Sequence, residues 1–278
     1  MTLRFALAAF LIVVGLALPL AAVAKRGMPW GYRGHQAVLV EVAGNVEITL
    51  SEDRRMREKR EDARVPSVPG LFLDAGDEVR ASRYAEGRIR LPAGDVAVGD
   101  GAQVVVGIAG KPGITLARGM LEVRLPSGTT PLDVKIDGVD AKLTLRPGNE
   151  GGTFRVLADG NGEVRALVKL GSAELSSSAG SELAEAGKLV VVGADKKPRV
   201  EALDTAALTL TVTCDGKKLT TMTSPGTQVF VAGNVLYPRD GKVTVDVHGG
   251  QVPVFARDVA GSSSLVMGLC DVKAKPAR

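Results

Sequence analysis

The sequence predicts an all-β fold, a domain of many short strands followed by a β-sandwich, and three observations carry that prediction. Apolar residues make up 45% of the 278 and aromatics only 4%, so Val, Leu, Ala and Ile supply most of the apolar content. The 34 Gly and 14 Pro punctuate the chain at short intervals, as turns require. Between them, apolar side chains recur at every second position, the period of a half-buried strand. The length suffices for one or two domains with their own cores.

The first segment stands apart. Met1 to Arg4 is followed by an uncharged apolar run that ends in Ala22-Val23-Ala24, just before Lys25-Arg26. A short basic start, an apolar stretch and small residues at its end predict a secretory signal peptide over residues 1–24. The run also reaches the roughly 20 residues of a membrane span, so an uncleaved anchor is the alternative, with membrane contact through residues 5–24 only. Export places the chain in the periplasm or cell envelope, held at the inner membrane if the segment is not cleaved. Cleavage removes Arg4 and no acid, lowering the formal charge from +4 to +3. So small a charge argues against a nucleic-acid partner. Residues 25–36 read as an N-terminal tail. In it, Trp30 and Tyr32 lie beside Arg26, Arg33 and His35, a composition suited to a membrane surface or a partner as well as to a plain tail.

From residue 37 the strands begin. Ala37 to Val42 and Asn45 to Leu50 flank Gly44, and the second alternates with period two. Ser51 to Arg64 then holds six basic and five acidic side chains. It is expected to form a solvated loop or short helix between strands, or else a docking surface built from Arg54, Arg55, Arg57, Lys59, Arg60 and Arg64. Exposed ion pairs there would contribute about 0.2–1 kcal/mol each. Gly87 to Leu91, Val96 to Val98 and Val104 to Val106 continue the strands, with turns expected at Pro92 to Asp95 and Gly99 to Gly101.

The stretch from Arg88 to Val106 has three rival readings. A phosphate loop needs a Lys where Asp100 stands, and a calcium loop needs more convergent oxygen ligands than Asp95 and Asp100. Tight turns between strands remain the expectation, with Asp and Gly there to satisfy turn geometry.

These residues also carry a resemblance. Leu73-Asp74-Ala75-Gly76-Asp77, then Leu91-Pro92-Ala93-Gly94-Asp95, resembles the core of the FecR domain, a periplasmic module. Leu116 to Val123 resembles its next strand pair, and Gly152-Thr153-Phe154-Arg155-Val156 its Gly-Thr-x-Phe-x-Val strand. Gly162 to Leu175 and Leu183 to Lys188 resemble its closing portion. The resemblance implies an all-β module over residues 37–193. Members that control sigma factors carry an anti-sigma segment ahead of their membrane span, whereas Met1 to Arg4 is all that precedes the apolar run. The expectation is therefore the module without that control.

A linker is expected at 194–203, where Lys196, Lys197 and Pro198 cluster. Residues 204–273 are similar to bacterial Ig-like domains in their order of Pro-Gly, strand, Asp-Gly turn, strand and Ala-x-Asp-x-Ala-Gly. Cys214 and Cys270 fall near the two ends of that segment, and an oxidising compartment favours their pairing as a disulfide.

Catalytic groups are scarce. His35 and His248 lie in different expected domains, and no Cys-x-x-Cys is present. No enzyme, metal or cofactor is expected. Phe72, Tyr84, Phe154, Phe230, Tyr237 and Phe255 mostly alternate with aliphatics, as core residues do. The expected function is a non-catalytic scaffold or interaction module for an envelope protein. The alternative is binding of peptidoglycan, which the family's frequent company with wall-binding modules implies.

Overall fold

The computed structural model describes residues 36–108, 111–193, 195–203, 208–238 and 240–270. The expected export segment and the tail residues Trp30, Tyr32 and His35 lie outside the described residues. The fold is all-β, with one short helix among the described residues.

The first lobe is built from two layers. One runs in the order β4 (Phe72–Leu73), β1 (Ala37–Ala43), β6 (Glu86–Leu91), β7 (Gly94–Val98), β9 (Lys111–Leu125), β12 (Gly152–Ala158), β13 (Val164–Leu170), β16 (Lys188–Val192) and β17 (Pro198–Ala202). The other runs β3 (Arg64–Val65), β2 (Val46–Thr49), β5 (Glu78–Ala81), β8 (Gln103–Ile108), β9 again, β10 (Leu132–Ile136), β11 (Ala141–Arg146), β14 (Ser172–Ser177) and β15 (Gly180–Glu185). All of these pairs are antiparallel except β9 with β10.

Register turns the sequence alternation into a core. Leu39, Ile89, Val96, Val123, Phe154 and Val168 face one another across successive strands of the first layer, and all are fully buried. Ile48, Val79, Val104, Leu116 and Ile136 form the matching row of the second. Each such side chain contributes about 1.5–3 kcal/mol relative to exposure.

Two layers share one strand because β9 bends. Its first half pairs in the second layer and its second half in the first. Gly119 stands at the changeover with φ +103°, where a Cβ would come within 2.2 Å of the Ala102 Cα. Only glycine fits such an approach. The strand pair expected from Leu116 to Val123 is thus one continuous strand.

Two further expectations are corrected. The Pro92 to Asp95 turn tightens to Pro92–Ala93, with Gly94 and Asp95 already in β7. The linker expected at 194–203 contains β17, which pairs along the whole of β16, because Arg199 to Ala202 can complete that layer's hydrogen bonding.

The second lobe packs two sheets on one core. One holds β18 (Leu210–Asp215), β19 (Lys218–Thr223) and β22 (Lys242–Asp246); the other runs β21 (Asn234–Leu236), β20 (Thr227–Val231), β23 (Gly250–Asp258) and β24 (Ser263–Cys270). Leu219, Val229, Val231, Val254 and Ala256 fill the space between them. Cys214 lies inside β18 and is bonded to Cys270 at the end of β24, with 5.1 Å between Cα atoms. The expected disulfide therefore joins the two sheets.

The lobes meet through a third apolar cluster. Met120, Leu157, Leu167, Leu189 and Val191, on the outer face of the first layer, pack with Val259, Ala260 and Tyr237 of the second lobe. This explains the unbroken apolar run Leu189 to Val192: one face of β16 lines the core and the other lines the junction. Gly101, at φ +69°, lets Val235 approach within 2.9 Å of where a Cβ would sit.

Candidate functional site

Three features present chemistry to solvent or to a partner: the charged helix, the cleft at the lobe junction and the outer face of β24.

The charged run folds as α1 (Glu52–Glu58), begun by Ser51, whose side chain accepts from the Arg54 N–H, and ended by Lys59 in a left-handed conformation. Arg54 is buried, so its place in the expected docking surface is corrected. Its Nη1 donates to Asp77 Oδ2 at 2.5 Å and to the Phe72 carbonyl at 2.8 Å, and its Nε donates to Glu58 at 2.7 Å. Asp77 is wholly buried and also accepts from the N–H groups of Ser51 and Asp74, at 2.8 and 2.9 Å. Burial opposes the charge on Arg54, but Glu58 and Asp77 outweigh it and hold its pKa above the usual value. The same bond from Arg54 holds Glu58 below the usual carboxylate range.

The Leu73 to Asp77 motif is thereby explained: its acid is a buried anchor that fixes α1 to the sheet. Arg57, which pairs with Asp74, is exposed, as are Lys59, Arg60 and Arg64, while Arg55 is half-buried. A signal for Arg54 existed in the motif itself, since a buried acid needs a cation and Ser51 to Arg64 is the densest supply of them.

The junction cleft encloses about 310 Å³, and its charged lining is Glu86, Arg88, Asp95, Glu122, Arg124 and Arg155 of the first layer together with Arg257 of β23. It lies where the apolar outer face of β12, β13 and β16 gives way to the charged outer face of β6, β7 and β9. Glu122 accepts from Arg124 Nε and Nη2 at 3.2 and 2.7 Å and from Arg155 Nε at 3.4 Å. Desolvation pushes the Glu122 pKa up, yet the bond from Arg124 and the charges of Arg124, Arg155 and Lys169 bring it below the usual range.

Across the junction, Arg155 Nη1 donates to the Ala260 carbonyl at 3.1 Å. Arg257 Nη2 donates to Asp100 Oδ2 at 3.3 Å and to Gln228 Oε1 at 3.1 Å. Asp100, expected only to shape a turn, therefore also pins the second lobe, and it accepts from the N–H of Tyr84 at 2.5 Å. Asp95 is taken by Arg90, at 2.8 and 3.1 Å. Tyr237, half-buried at the junction, accepts from Gln228 Nε2 at 3.2 Å, and burial pushes its phenol up to about 12.

Tyr84 is corrected from core to surface. It is 71% exposed, in the left-handed region at φ 58°, with the Arg83 guanidinium over its ring. Phe154 and Phe230 are buried as expected, and His248 is exposed. Among the described residues no three His, Cys, Asp or Glu side chains are grouped to hold a metal ion.

The outer face of β24 carries Leu265, Met267 and Leu269, exposed by 66%, 49% and 71%. Their neighbours in register on β23 are Phe255, Pro253 and Gln251. The strand is the last in its sheet and has neither a charge nor a proline over its eight residues. The outer strands of the first lobe contrast with it: β15 carries Glu182 and Glu185, and β17 carries Pro198, Arg199 and Glu201. Such residues block pairing at a sheet edge.

The sequence matches no protein-family model and no curated protein. Two solved structures of a "putative anti-sigma factor" from Parabacteroides distasonis ATCC 8503 are similar to it, at 14% and 13% identity. In each case the TM-score is 0.38, and the alignment covers 46% of this chain and 60% of that one. A likeness of that size says nothing about function.

Proposed function

We propose that the protein is a non-catalytic, exported envelope module that holds another protein on the outer face of β23 and β24. The observation that carries this reading is the exposed row Leu265, Met267 and Leu269. Three large apolar side chains left side by side in water mark an interaction surface. The uncharged strand beneath them lacks the guards seen on β15 and β17. The Cys214–Cys270 bond fits an oxidising compartment and so supports export. The placement of Leu73 to Asp77 at a turn flanked by the buried Asp74 and Asp77, and of Leu91 to Gly94 in a hairpin, supports a FecR-like first lobe, and the two-sheet second lobe supports an Ig-like one.

The test is a double substitution, Leu265→Asp with Leu269→Asp, in the full-length protein. The reading expects an unchanged melting temperature and loss of the partner from affinity-purified complexes. Retention of the same complex by a folded variant would sink it.

A further inference from the structure

The junction cleft is lined by four arginines, Arg88, Arg124, Arg155 and Arg257, and by three carboxylates, Glu86, Asp95 and Glu122. Glu122 is hydrogen-bonded by both Arg124 and Arg155, while Glu86 and Asp95 act on Arg124 through their charge alone. Asp95 is committed to Arg90, which lies outside the cleft lining. Arg88 pairs with Glu41 and with Glu86, each at 3.5 Å, and Glu86 itself lines the cleft. Nη1 of Arg124 and Nη2 of Arg155 make no hydrogen bond among the described residues, and both side chains line the cavity. A guanidinium presents its donors as a planar fork that matches a carboxylate. The volume of about 310 Å³ is at the lower end of small-molecule sites, the size of one sugar or a short peptide end.

We propose that this cleft binds the carboxylate of a small ligand, a sugar acid or a peptide end, between Arg124 and Arg155. Glu122 occupies the inner donors of both arginines and so acts as an internal competitor. The ligand carboxylate takes the outer donors, and its attraction rises when Glu122 is neutral. Because Arg155 also holds the Ala260 carbonyl, an occupied cleft borders the contact between the lobes. This site is separate from the proposed protein-docking face, and either stands without the other.

Calorimetric titration of the protein purified from the envelope tests it with two matched pairs: glucuronate against glucose, and N-acetylalanine against its amide. One acid is expected to bind about tenfold more tightly than its neutral twin. Whichever acid does so names the source of the carboxylate. Arg124→Gln is expected to abolish that preference, and Glu122→Gln to strengthen it, with wild-type melting temperatures in both variants. Equal binding or no binding of acids and neutral twins overturns the proposal, and so does a Glu122→Gln variant that binds the acid more weakly.

Discussion

Asp77 shows most clearly how one residue organises its surroundings. It is fully buried, accepts two backbone N–H groups and meets the buried Arg54. Removing one partner of a buried pair leaves an uncompensated charge, so Asp77→Ala is expected to lose about 3–5 kcal/mol in urea unfolding. Arg57→Ala, which removes an exposed guanidinium, is expected to stay within about 1 kcal/mol of wild type. The difference was only half legible in the sequence. Both arginines sit in the same charged run, and burial of Arg54 follows from the register of a seven-residue helix over one turn, which composition does not reveal. Asp100 was hidden for a similar reason: its partner Arg257 is 157 residues away. Tyr237 gives a test by pH. Its phenol is raised from 10.0 to about 12, so its contribution to stability is complete below pH 10 and is lost as pH rises through 12. Melting temperatures taken across that window should fall further for wild type than for Tyr237→Phe.

At the scale of elements, the strands were the most legible feature, because period-two alternation and turn residues are local. Ala37 to Val42 and Gly87 to Leu91 stand within one residue of β1 and β6. Pairing partners were not legible, since the parallel contact of β9 with β10 and the passage of β9 between layers depend on non-local geometry. Gly119 is where that geometry leaves its mark. Gly119→Ala forces both a positive φ on a residue with a Cβ and a clash with Ala102, and is expected to destabilise by more than about 1 kcal/mol. The disulfide closes a separation of 56 residues. Replacing both cysteines with Ser is expected to lower stability by about 2–5 kcal/mol, read as a shift in the urea midpoint under non-reducing conditions.

At the largest scale, the two β lobes are held together by an apolar cluster and a polar seam, with a charged cleft at their junction and an apolar strand face left uncovered among the described residues. The seam was foreshadowed by Leu189 to Val192, whose unbroken apolar run needs cover on both faces. The apolar face was foreshadowed by Ser263 to Cys270, which carries no charge, although sequence alone does not tell an outward Leu265 from an inward one. The proposed function rests on this face holding a protein partner. Site-specific photo-cross-linking in living cells, from a probe placed at Met267 and from a control at the exposed Leu183 of β15, tests it most directly. One discrete cross-linked envelope protein is expected from position 267 and none from position 183. Equal labelling from both positions, or none from position 267, would contradict it.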